Sequence, residues 1–161
     1  MLRQPLGLRL SGLRSSLWIT AGGLLFAGLL VGIALELHTL HPLHGAGSLE
    51  LHIAGYLLWA FEQQFILQDY FLLRLLRILP SESAATITAA VLFSTAHLPS
   101  PVLTAATLAW GIVSCALFLR YRNLYALGLV HGILGLCVAI SVPNAITHHM
   151  TVGLGYLHYH H

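Results

Sequence analysis

The sequence predicts an all-α membrane protein, a polytopic bundle of about five transmembrane helices with its amino end inside and its carboxyl end outside. Three observations carry that prediction. The 161 residues are 57% apolar and only 7% charged, with a mean hydropathy of +0.82. A soluble domain carries roughly 25% charged residues, so lipid has to cover the surface that polar groups cannot. Apolar runs close to the length of a bilayer crossing recur along the chain, and its basic residues, all of them Arg, fall between alternate runs.

The first run covers residues 17–37 and follows Arg3, Arg9 and Arg14. At about 21 residues, with no small-residue cleavage pattern behind it, it reads as a retained helix rather than a signal peptide. The second, residues 49–73, is long enough to tilt or to project beyond the bilayer. The third, residues 84–97, barely spans; Pro99 and Pro101 end it, because a residue before proline is pushed out of the helical region. The fourth covers residues 102–119 and the fifth residues 124–142, with Pro143 as its stop. Arg74 and Arg77 lie between the second and third runs, Arg120 and Arg122 between the fourth and fifth. With the three arginines of the amino end they occupy one side, and short Arg-rich loops stay cytoplasmic. The other side receives histidines: His38, His41, His44 and His52 in or beside the first outer loop, and His148, His149, His158, His160 and His161 in the tail. A net charge of +2 and widely spaced basic residues exclude a phosphate-tracking surface, hence nucleic acid as a partner. Cys115 and Cys137 sit inside apolar runs, where thiols behave as small hydrophobes, and they form no disulfide framework.

Polar residues inside the runs are the candidates for chemistry. Glu62 lies about 13 residues into the second run, near mid-bilayer at about 1.5 Å per residue. A carboxylate there costs at least about 2.5–3.5 kcal/mol on insertion scales, so it is expected to face the bundle. Glu62 and Asp69, seven apart, share a helical face, as do Gln64 and Gln68, four apart. The two glutamines with Gln63, taken alone, read as glue between helices. His97 closes the third run and His131 lies about two turns into the fifth. One buried histidine is ordinarily structural. Two with a glutamate, on three separate spans, make either a general acid–base set that activates water or a metal triad. A single cavity between the second, third and fifth spans is expected to hold Glu62, His97 and His131.

At these residues the chain resembles the CPBP family, intramembrane peptidases of the CAAX prenyl endopeptidase and bacteriocin-processing type. The family pattern is Glu-Glu-x-x-x-Arg on one helix, Phe-x-x-x-His on the next and His-x-x-x-Asn on a later one. Glu62 matches the first glutamate, Phe93 and His97 the second motif, and His131 the third histidine; the resemblance covers residues 51–142. Gln63 stands for the second glutamate, Leu67 for the arginine and Gly135 for the asparagine. The resemblance implies a four-helix membrane core over residues 49–142, preceded by a segment, helix and His-rich loop (1–48) and followed by a His-rich outer tail (143–161). It also implies a glutamate-activated water attacking a peptide carbonyl, with Glu62 as base, His97 its partner and no cofactor required. The substrate would be a prenylated or leader peptide, and the setting a bacterial inner membrane. Gly135 has no side chain to hold an oxyanion, and losing one such donor typically costs about a hundred- to a thousandfold in rate.

Two other functions follow from the same residues. The departures from the pattern fit a non-catalytic relative that binds and stabilises a membrane protein, lipid or pigment assembly. A metal or haem site would draw on Glu62, His97 and His131, or on His38, His41 and His44, since neutral imidazole is a common metal ligand. Pro42 breaks any single helical face through those three, so a solvated loop is the plainer reading there.

Overall fold

The computed structural model describes residues 7–8, 12–43 and 48–158. Arg3, Arg9, His44, His160 and His161 lie outside the described residues. The chain is helical, with no strand among the described residues. The elements in order are α1 (Leu13–Glu36), α2 (Leu49–Phe65), a π-helical segment (Ile66–Leu72), α3 (Leu73–Ile78), α4 (Glu82–Thr95), α5 (Pro101–Tyr121) and α6 (Leu124–Ser141). The expected runs correspond to α1, to α2 with its π-helical continuation, and to α4, α5 and α6. Two details differ from the sequence reading. The second helix continues through α3 to Ile78, and the tail folds into short helices, α7 (Asn144–Thr147) and α8 (Leu154–His158), around a 3-10 turn. Among the described residues three helices, α1, α5 and α6, are long and apolar enough to cross a membrane.

The helix starts follow their capping residues. The side chains of Ser48, Ser81, Ser100 and Asn123 accept from the backbone N–H groups of Leu51, Ala84, Leu103 and Ala126. Each satisfies one donor that has no partner inside its helix. Pro101 opens α5, where its missing N–H costs nothing. Arg122 ends α5 in the left-handed conformation (φ 48°), which turns the chain sharply into α6.

α6 is the centre of the bundle. It packs against α1 on one side and α2 on the other, while α4 pairs with α5. Both α6 contacts are built on small residues, which let helices approach where no hydrophobic effect drives them together. A Cβ at Gly23 of α1 would fall 2.7 Å from Val130. Gly128, Gly132 and Gly135 of α6 lie against Phe61, Leu57 and Tyr56 of α2, respectively. The ends are tied by polar contacts. At one end Leu124 donates its N–H to Gly7 O (2.9 Å), and Gly7 donates to Asp69 Oδ1 (3.5 Å). Arg122 sits there too; burial pulls its guanidinium below the ordinary value, and Asp69 and Glu82 oppose that shift. At the other end Thr39 Oγ1 donates to Ser141 O (2.8 Å), and His41 bonds Val142 O through Nε2 (2.9 Å).

Candidate functional site

α2 presents two unlike faces. Gln64 is fully buried and Glu62 is exposed, as two residues along an α-helix turn it by about 200°. The expectation that Glu62 faces the bundle therefore does not hold. α6 takes the face bearing Leu57, Phe61 and Gln64, and on the opposite side Leu51, Leu58, Trp59 and Glu62 are exposed. Asp69 is buried, so it does not share the outward face of Glu62. The π-helical segment from Ile66 is the physical reason: its i→i+5 bonding takes up an additional residue and shifts the phase of everything after it.

The buried face of α2 carries a continuous hydrogen-bond chain. Gln64 donates through Nε2 to His131 Nδ1 at 3.2 Å. Its Oε1 accepts from Gln68 Nε2 at 3.1 Å, and the same Gln68 nitrogen reaches Ser114 Oγ on α5 at 3.2 Å. Ser114 in turn donates to Gly111 O. The network joins α2, α5 and α6, and it bears out the reading of Gln64 and Gln68 as glue between helices. With Nδ1 accepting, His131 carries its proton on Nε2, an assignment that follows from the network rather than from an observed hydrogen. Gln68 Oε1 and Trp110 Nε1 are buried without a partner among the described residues, and the Trp110 ring lies 6.1 Å from that of His131.

Phe93 stands beside both histidines. Its ring centroid is 5.2 Å from His97 and 5.9 Å from His131, edge-to-face in each case. His97 is half-buried at the end of α4, and its Nδ1 donates to Phe93 O at 3.2 Å. Phe93 thus groups His97 with His131, while Gln64, not Glu62, completes the set on α2. Gln63 is half-buried beside it. Position 135 is filled from across the interface, since a Cβ there would fall 2.1 Å from Tyr56 Oη. Only glycine leaves room for that tyrosine. Tyr56 and Ser114 were not singled out from the sequence. A tyrosine and a serine within apolar runs carry no signal until their partners are known.

Of the outer loop histidines proposed as metal ligands, the two described ones have different surroundings. His38 is exposed and ends α1 with φ 53°, whereas His41 ties its loop to α6 and His44 lies outside the described residues. Among the described residues, no three of His, Cys, Asp and Glu gather closely enough to hold a metal ion.

A family model described as type II CAAX prenyl endopeptidase Rce1-like matches residues 18–137. No curated protein and no solved structure matches the chain.

Proposed function

The chain belongs to the Rce1-like family of type II CAAX prenyl endopeptidases, and from that membership we propose that it is a non-hydrolytic member, which binds and stabilises another membrane protein within the bilayer. One observation carries the reading. The polar side chain of α2 that meets His131 is an amide, Gln64, itself held by Gln68 of the π-helical segment; Glu62 is exposed on the other side of α2, and Asp69 accepts from Gly7 at the end of the bundle.

A general base must lie within hydrogen-bond reach of the water it activates. A carboxamide has no proton affinity near neutral pH and cannot replace a carboxylate in that role. The spacing supports the same conclusion. Shifted by one residue, Gln63-Gln64-Phe-Ile-Leu-Gln68 has the interval of the Glu-Glu-x-x-x-Arg pattern, with an amide at each of its three polar positions. In that register both glutamates and the arginine are replaced together. Two of the replacements, Gln64 and Gln68, hydrogen-bond one another, so the polar seam persists as a fastening between helices.

In this reading the protein is an integral membrane protein of five spans. Arg14, Arg74, Arg77, Arg120 and Arg122 face the cytoplasm, and the seam through Gln64, Gln68, Ser114 and His131 holds the bundle rigid around its binding surface. The test is hydrolysis of a farnesylated CAAX peptide by the purified full-length protein in proteoliposomes. No cleavage above protein-free vesicles is expected. Cleavage that disappears in Glu62→Gln would overturn the proposal and return Glu62 to the role of base.

A further inference from the structure

We propose that the outward face of α2, centred on Gly55 and Glu62, docks a transmembrane helix of another membrane protein that carries a Lys or Arg side chain at mid-bilayer depth. The inference rests on the binding reading above and names its surface and the chemistry of its partner.

Glu62 is the first observation. The helix formed by α2, the π-helical segment and α3 is continuous, and Glu62 lies roughly 20 Å from its start and roughly 24 Å from its end at Ile78. Both distances place it near the bilayer centre. Its side chain is exposed, and among the described residues it makes no hydrogen bond or ion pair. Ionisable groups at this depth ordinarily face a bundle interior and pair with a partner. This one faces away from the bundle.

The surroundings of Glu62 supply the second observation. Leu51, Leu58 and Trp59 on the same side are each more than half exposed. Gly55 leaves a depression one to two turns from Glu62, bounded by Leu51, His52, Tyr56 and Trp59. A Cβ added to Gly55 would meet nothing within 4 Å, so its missing side chain serves no contact inside this chain. Glycine on an uncovered helix face allows a second helix to approach closely.

Charge decides the kind of partner. The chain contains no Lys, and its arginines lie outside the expected spans or at their ends. Of the histidines in the spans, His97 and His131 are engaged with Phe93 and Gln64, and His52, near the start of α2, lies about 15 Å along the helix from Glu62. A second copy in the same orientation would therefore bring Glu62 against another Glu62 and supply no cation. A cationic side chain on a different protein's helix neutralises Glu62 and fills the dent at Gly55.

The experiment uses the full-length protein with a photo-crosslinking residue in place of Leu58, in phosphatidylcholine vesicles. The probes are synthetic Leu/Ala transmembrane peptides bearing Lys, Leu or Asp at the centre. The Lys peptide is expected to cross-link, and the Leu and Asp peptides to bind about tenfold more weakly, a difference within the range of polar contacts between membrane helices. Glu62→Leu should reduce the Lys peptide to the level of the Leu peptide, and Glu62→Lys should shift the preference to the Asp peptide. Gly55→Leu, whose Cβ would meet nothing within 4 Å in its own chain, should weaken the Lys peptide as well. Equal binding of all three peptides, or indifference to both Glu62→Leu and Gly55→Leu, would overturn the proposal. So would cross-linking of position 58 chiefly to a second copy of the chain. Cleavage in the hydrolysis assay overturns the non-hydrolytic reading and leaves the peptide preference standing; loss of the preference removes this surface and leaves the non-hydrolytic reading intact.

Discussion

Gly135→Asn, which supplies the asparagine of the resembling family's third motif, should loosen the bundle rather than repair a site. A Cβ at position 135 would lie 2.1 Å from Tyr56 Oη and 2.8 Å from two atoms of its ring. Ordinary carbon contacts are about 3.5–4.0 Å, so the ring must move by more than about 1 Å before the rest of the asparagine is accommodated. The helices cannot slide apart locally to make this room, because Gly132 and Gly128 hold the same pair at Leu57 and Phe61. Tyr56 is only half-buried and can swing outward, which limits the loss to about 2 kcal/mol, within the usual range for overpacking. Tyr56→Ala combined with Gly135→Asn removes the clash, and contacting residues of this kind show couplings of about 0.5–3 kcal/mol. Reversible unfolding of the purified protein in mixed micelles, followed by circular dichroism across the four members of the cycle, measures both quantities. A Gly135→Asn protein within about 0.5 kcal/mol of the parent, or an equal loss with and without Tyr56, would refute the packing of α2 on α6 described above.

Two further predictions concern the buried seam and the topology. Gln64→Leu leaves His131 Nδ1 without its donor and Gln68 Nε2 without one acceptor, and should destabilise the fold by about 1–3 kcal/mol in the same unfolding assay; an unchanged midpoint would mean the seam does not hold the helices together. With Cys115 and Cys137 replaced, His38→Cys should react with an impermeant maleimide added outside intact cells, and Arg77→Cys only after permeabilisation. The opposite labelling pattern would invert the orientation read from the arginines.

The division between sequence and structure runs through α2. Composition alone made the chain a membrane helix bundle, because lipid is the only solvent in which so few charges suffice. Run length and proline placed most helix ends within a few residues, Pro99 and Pro101 after α4 and Pro143 after α6, whereas the caps Ser100 and Asn123 were identified only in the fold. The polar residues of the second run, the histidines of the third and fifth, and the pairing of Gln64 with Gln68 were also legible, because interval along one helix fixes which side chains share a face. Which face turns inward was not. That depended on three α6 glycines receiving Tyr56, Leu57 and Phe61, and on a π-helical segment that separates Asp69 from the face of Glu62. Helical periodicity assumes a constant turn and carries no information about the neighbour. The sequence therefore identified Glu62 as the unusual group, and only the packing of α2 against α6 decided that Gln64 meets His131 while Glu62 faces outward.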